Sequence, residues 1–335
     1  MKNKNLFAIL FLLLFCFTLT TGYCQSENTD KNIVRLIYAE VNPIDSFSGR
    51  LAVAFKNIVA KLSDGEIVID IIADGKLGNE NEVITRMFKG DTVDIARVSV
   101  SYLQEFGAYK TSILSAPYIF ESREHFWNFV KSDYHQVFLN EITESNANLK
   151  GLFFTEEGFR HFFSIRPINV PSDLANLKTR VSYGAYSEAM LKSFGTEVVR
   201  VPFTEMNNAF RNNVIDAAEQ PILNYFSNYF YKQAPNMILD GHTLSIGEVI
   251  MTTKAWDKLS DKQKLALESA SNYVQLLNRI RVKMNEHIAI CLMEGRGVNL
   301  VGLEDNSSWK DACNDILCQV TKAYSEIYQN IQQLK

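Results

Sequence analysis

I-V-I-D-I-I (Ile67 to Ile72) is a nearly continuous run of isoleucine and valine interrupted by one aspartate, the pattern of a strand buried on both faces of a sheet. On its N-terminal side, Phe47 to Leu62 carries helical apolar spacing and Asp64-Gly65 supplies a turn. Before that helix, R-L-I-Y-A (Arg35 to Ala39) is short and β-prone. On its C-terminal side a helix is expected over Glu80 to Lys89, ending at Gly90, and then a strand over Val93 to Val100. Ile113 to Phe120 leads through Pro117 into another helix over Arg123 to Leu139. Strands separated by helices at these lengths predict α/β architecture with a largely parallel sheet and crossover helices. The alternation resumes after Leu152, with strands at Lys178 to Ser182 and Glu197 to Arg200, a helix at Tyr186 to Phe194 and another from Thr204. This is a second α/β unit, and 335 residues are enough for two domains.

One element is longer than either unit needs. Ser260 to Met293 is a helical pattern opened by a capping box, Ser260 with Gln263, and closed by Gly295 and Gly297. Ala270, Val274, Leu277, Met284, Ile288 and Cys291 follow helical spacing and form its expected packing face. At 1.5 Å per residue such a helix runs roughly 50 Å, so it is expected to cross from one lobe to the other.

Residues 1–24 stand apart. Lys2 and Lys4 precede an apolar run from Leu6 to Phe17, followed by T-L-T-T-G (Thr18 to Gly22). That is the layout of a secretory signal, and the run is too short for a comfortable membrane span. Cleavage near Gly22 or Cys24 is expected ahead of lipid attachment at Cys24, because Tyr23 is not the small residue that lipidation favours. Removal of the leader takes away two lysines and no acid, moving the net charge from −4 to −6. That balance argues against nucleic acid or an anionic membrane surface as partner. The remaining cysteines, Cys291, Cys313 and Cys318, give neither a disulfide framework nor a zinc motif. A bridge from Cys291 to one of the other two stays open in an exported protein.

Enzyme signatures are missing. The chain has no H-E-x-x-H, G-x-S-x-G, G-x-x-x-x-G-K or G-x-G-x-x-G, and its five histidines lack metal-ligand spacing. No nucleophile, base and stabiliser are nominated together, so neither catalytic residues, a metal nor a cofactor is expected. Two arginines twenty residues apart, Arg160 and Arg180, carry the chemistry instead. A guanidinium offers a planar fork of donors that matches a carboxylate bidentately. Arg180 sits where a buried strand should end; it needs an anion, either a ligand or an internal partner such as Asp216 or Glu219. Arg160 is expected in a loop beside a glycine.

Several segments, in order and across essentially the whole mature chain, resemble the extracytoplasmic solute-binding proteins of tripartite ATP-independent periplasmic (TRAP) transporters. They are K-L-G-N-E-N-E-V (Lys76 to Val83), K-G-D-T-V-D-I-A (Lys89 to Ala96), S-A-P-Y-I-F (Ser115 to Phe120), R-P-I-N-V-P-S-D-L-A-N-L-K-T-R-V (Arg166 to Val181), F-T-E (Phe203 to Glu205), N-N-V-I-D-A-A-E-Q-P (Asn212 to Pro221) and A-W-D-K-L-S (Ala255 to Ser260). The resemblance implies a two-lobed periplasmic binding protein fold of type II-like architecture, closing on a ligand in the cleft, with residues 33–157 and 246–285 in one lobe and 158–245 and 286–335 in the other. It implies that Arg180 grips the carboxylate of a small organic acid, joined by Arg160 and by Gln220, where asparagine is commoner in the family. It places Phe203 and Tyr183 along the pocket, and Glu40, Ser99 and Tyr102 on the first-lobe wall. Ser182 stands where proline is usual. The implied partners are a TRAP membrane permease in a periplasmic setting or, in some members, a helical-repeat protein handling more apolar ligands. Nothing in the sequence suggests more than a monomer.

Overall fold

The computed structural model describes residues 33–145, 148–181 and 184–335. The expected leader with Cys24, and also Ser182 and Tyr183, lie outside the described residues. Val34 to Lys335 form one compact unit. Its strands are β1 (Val34–Ala39), β2 (Ile67–Ile72), β3 (Ile95–Ser99), β4 (Leu149–Ser164), β5 (Lys178–Val181), β6 (Glu197–Arg200), β7 (Ala217–Pro221), β8 (Asn236–Leu239), β9 (Thr243–Thr252) and β10 (Asn299–Gly302). They join in the order β2-β1-β3-β9-β4-β7-β5-β6, with β8 on β4 and β10 on β8. The helices that position the site are α1 (Phe47–Leu62), α2 (Glu80–Phe88), α3 (Arg123–Lys131), α4 (His135–Ser145), α5 (Ala185–Ser193), α6 (Met206–Arg211), α7 (Ile222–Ser227) and α8 (Asp261–Glu294).

Two parallel groups, β2-β1-β3 and β7-β5-β6, lie at either end of this order. Between them β9 and β4 run antiparallel to each other and to their outer neighbours. The expected largely parallel sheet is therefore mixed. The two long central strands serve both halves, an arrangement that local periodicity cannot report because pairing partners are far apart in sequence. This is the two-lobed α/β binding-protein fold, with the lobes sharing β4, β9 and α8.

The β-branched run that opens the alternation is β2, but it is an edge strand. Asp70 is exposed and pairs with Arg35 on β1 at 3.6 Å, so the strand is not buried on both faces. A charged side chain on the open edge is a common protection against strand addition. The helix expected over Arg123 to Leu139 is two helices, α3 and α4. Ser132 leaves the helical conformation (ψ 155°) and its Oγ donates to the Phe129 carbonyl at 2.7 Å, the back-bonding that ends a helix at serine.

Helix α8 opens with the capping box at Ser260 and Gln263 and closes at Gly295. Its N-terminal half puts Leu267, Ala270 and Val274 into a core with Leu51, Phe55 and Val59 of α1. Its C-terminal half puts Val282, Ala289 and Met293 into a separate core with Met206, Tyr225 and Phe230. One helix thus contributes to both hydrophobic centres. The expected packing face is half right. Ala270 and Val274 are buried, whereas Met284, Ile288 and Cys291 face solvent. Cys291, Cys313 and Cys318 are all free thiols, so no bridge forms between them.

Candidate functional site

The ends of β3, β5 and β7, the start of β9 and the middle of β4 converge on one cavity with about 610 Å³ of atom-free space, part of it open to solvent. Three arginines reach it, and their partners differ. Arg97 on β3 is buried; its Nε lies 3.2 Å from Glu40 Oε2 and its Nη1 3.2 Å from Glu157 Oε1. Gly247 on β9 makes room for it, since a Cβ there would stand 3.0 Å from Arg97 Nη1 and 2.8 Å from Thr155 Oγ1. Arg160 belongs to β4, not to a loop, and forks onto Glu219 of β7. Its Nε pairs with Oε2, its Nη2 donates to Oε1 at 2.8 Å, and its Nη1 donates to Ser245 Oγ at 3.2 Å.

Arg180 on β5 is the exception. It is 1 % exposed, and among the described residues it makes no ion pair. Its Nε donates to the Val201 carbonyl at 2.9 Å, and its Nη2 is buried without a hydrogen-bond partner among the described residues. Burial lowers its proton affinity; Tyr102 and Glu219 oppose that, and Arg160 adds to it. A guanidinium with an unmet donor, sealed from water, is costly unless an anion completes it.

Behind Arg160 runs a chain of charges. Glu219 Oε2 lies 3.5 Å from His242 Nε2, and His242 Nδ1 lies 2.5 Å from Asp240 Oδ2. Asp240 Oδ1 accepts from the Phe162 amide at 3.0 Å, which fixes the turn between β8 and β9 against β4. Burial works against the Glu219 carboxylate, yet Arg160 and His242 bring it down to about 2. Burial also works against a charged His242, but Asp240 and Glu219 raise it to about 9. His161, which accepts from the Gly241 amide at 3.0 Å, is pushed down to about 4, chiefly by burial.

The rest of the lining is acidic and hydroxylated. Glu157 receives Ser48 Oγ (2.6 Å), Asn224 Nδ2 (3.1 Å) and Ser245 Oγ (3.2 Å) as well as Arg97. Burial opposes its ionisation, but Arg97, Ser48, Arg160 and Asn224 hold its pKa below the usual carboxylate value. Glu80, the first residue of α2, accepts from the Ser99 amide at 2.7 Å, and burial pushes its pKa up.

Of the residues expected at the site, Arg160, Arg180, Phe203, Gln220 and Ser99 line this cavity. Glu40 does not. It is buried behind the wall, where Asn42 donates to it from its amide (2.9 Å) and side chain (2.8 Å) and Arg97 takes the other oxygen. Its acceptors are already used, so it does not select the far end of a ligand. Tyr102 is also buried behind the lining, packed with Val98 and Leu103 and near enough to Arg180 to affect its charge. Tyr183 lies outside the described residues. Sequence reading missed Arg97, Glu80, Glu157 and Asn224. None carries a local signal, because each partner sits tens of residues away: Arg97 and Glu40 are 57 apart, Glu157 and Asn224 are 67 apart.

Known proteins are similar to this chain over most of its length. The solved structure of a TRAP periplasmic solute-binding protein from Polaromonas sp. JS666, bound to D-erythronate, is 28% identical and superposes with a TM-score of 0.84 over 89% of this chain and 98% of its own. A TRAP periplasmic solute-binding protein from Pseudomonas putida F1 with bound D-glucuronate, 22% identical, has the same fold at a TM-score of 0.84 over 89% and 97% of the two chains. The sialic acid-binding periplasmic protein SiaP of Vibrio cholerae is 23% identical over 94% of each chain. The family model described as bacterial extracellular solute-binding protein, family 7, matches residues 38–326. With most of its length matched and a sealed arginine in its cleft, the chain belongs to family 7 of the bacterial extracellular solute-binding proteins, the binding component of TRAP transporters.

Proposed function

We propose that this protein captures a small hydroxylated monocarboxylate outside the cytoplasmic membrane and hands it to a TRAP permease without chemical change. The observation that carries the reading is the contrast among the arginines. Arg97 and Arg160 are neutralised within the protein, and of the three, all of which line the cavity, Arg180 alone has a buried donor with no partner among the described residues. A ligand carboxylate on Arg180 would supply the missing charge, with Gln220 beside it and Phe203 against the carbon skeleton. Arg160 acts mainly by holding Glu219 and the wall in place, its fork being already engaged.

The far wall favours hydroxyls over a second carboxylate. Glu80 lines it with Asn42 and Ser99, a set that would accept from sugar-like hydroxyls and disfavour a second anion, whereas the oxygens of Glu157 are already taken by Ser48, Arg97, Asn224 and Ser245. The erythronate-bound relative from Polaromonas is consistent with this class. The two lobes are assigned to residues 33–157 with 246–285 and to 158–245 with 286–335.

A thermal-shift series with aldonic and uronic acids, their neutral amides and C4 dicarboxylates tests the reading. A ligand at 1,000 times its Kd adds about 4 kcal/mol of apparent stability. A rise with the hydroxy acids and none with their amides is expected. A response to neutral or apolar compounds alone would overturn carboxylate capture, and an equal response to dicarboxylates would overturn the hydroxylated far wall.

A further inference from the structure

The outward stripe of α8 carries a message independent of the cleft. Tyr273, Leu276, Ile280, Met284 and Ile288 are between 48 % and 61 % exposed, and Cys291 is exposed beside them. They follow helical spacing on the side opposite the buried Ala270, Val274, Asn278, Val282 and Glu286. Large apolar side chains scattered over a surface are ordinary; a ridge of five along about four turns, ending at His287 and Cys291, is not. A monomer gains nothing from holding this ridge in water.

The ridge is also self-complementary. About Val282, Ile280 mirrors Met284, Leu276 mirrors Ile288 and Tyr273 mirrors Cys291. A two-fold interface requires this, because residue i must meet j wherever j meets i. We propose that the protein forms a two-fold dimer in which the α8 helices of two copies cross antiparallel, centred on Val282. Chemistry at the edges fits a reversible contact. Each of these side chains withdraws about 50 Å² of apolar surface, so the five and Cys291 from each copy bury roughly 600 Å². Apolar atoms make up a little over half of such contacts, which brings the whole to about 1,000 Å², the lower bound of a specific interface. Exposed Arg281 and Lys283 mirror each other too, placing like charges across the rim. Salt therefore strengthens this dimer by screening them, whereas it would weaken the grip of an acidic partner on the same face.

Sedimentation velocity on residues 25–335, which contain the compact unit Val34 to Lys335, tests this across protein and salt concentration. The wild type is expected to dimerise reversibly, more tightly at higher salt. Ile280→Glu, which enters the interface twice, should weaken association at least 100-fold while leaving the thermal midpoint unchanged. Leu265→Glu, exposed on the same helix but off the ridge, should do nothing. With Cys291 and Cys318 replaced by serine, the pair Ile280→Cys and Met284→Cys should oxidise to a covalent dimer. A wild type that stays monomeric throughout, or a dimer indifferent to Ile280→Glu, or one that dissociates with salt, overturns the proposal.

Discussion

Arg160 and Arg180 are chemically identical side chains placed in opposite electrostatic situations. Arg160 is completed by Glu219, whereas Arg180 Nη2 has no hydrogen-bond partner among the described residues. Removing each should therefore have a different signature. Arg180→Met takes a buried, incompletely bonded charge out of the free protein, so the ligand-free midpoint should hold or rise while carboxylate binding is lost. Truncating one side of a buried charge pair costs about 2–5 kcal/mol of affinity, readable by calorimetry. If Arg180→Met lowers ligand-free stability and leaves affinity intact, the arginine is structural. Arg160→Met should instead destabilise the free protein, because Glu219 would be left buried and unpaired. The Glu219–His242–Asp240 chain gives a second residue-scale test. Glu219 is depressed to about 2, so its contribution is present above the ordinary carboxylate value and fades as pH falls through about 2. His242 is raised to about 9, so its contribution is full below the ordinary histidine value and fades as pH rises through about 9. His242→Gln should flatten the alkaline limb of a stability–pH profile; an unchanged limb would exclude the histidine as its source. Arg180 was legible in the sequence because a guanidinium at the end of a buried strand demands explanation. Which acid answers which arginine was not, since Glu40 and Glu157 meet Arg97 only through the pairing of distant strands.

At the scale of elements, β4 carries the least obvious demand. Between Glu156 and Phe159 its register against β9 shifts, and Asn278 of α8 takes up the slack. Asn278 accepts from the Glu156 amide and donates to the Glu156 carbonyl, both at 2.8 Å, as a neighbouring strand would. Arg123 of α3 joins the same place, reaching Glu286 of α8 at 2.5 Å and Glu156 at 3.6 Å. Gly158 makes this convergence possible. Its φ is +98°, and a Cβ there would stand 1.8 Å from Glu286 Oε1 and 2.8 Å from Arg123 Nη2. Gly158→Ala should destabilise by about 2 kcal/mol or more through backbone strain and the displaced ion pair, measured as a lower urea midpoint. A neutral result would mean that the pair relaxes without cost. Helix α8 shows how far periodicity reaches. Its capping box and terminal glycines mark both ends in the amino-acid sequence, because capping is decided within a turn of the helix terminus. Its apolar positions form two stripes, and nothing local says which one the fold buries.

The whole molecule depends on two lobes that meet at their rims. Thr204, beside Phe203, brings its methyl to 2.8 Å from where a Cβ of Gly75 would lie, and a Cβ on Gly184 would stand 3.0 Å from that of Ser101. Ser101 lines the cavity and Thr204 follows Phe203, which lines it too, so both contacts lie at the edge of the cavity. On the proposed function, closure must draw its free energy from contacts made only in the shut form, and a shut form would exclude water and strengthen a pair between Arg180 and a ligand carboxylate. A side chain at position 75 would hold the rims apart. Asparagine tolerates the left-handed backbone there (φ +62°), so Gly75→Asn should fold normally while propping the cleft open. With a confirmed ligand, X-ray scattering of the wild type should show a smaller radius of gyration than the free protein. Gly75→Asn should keep the larger radius and bind at least ten-fold more weakly, although no atom of residue 75 lines the cavity. Wild-type affinity in the propped variant would mean that binding is complete in the open form and that closure serves only delivery.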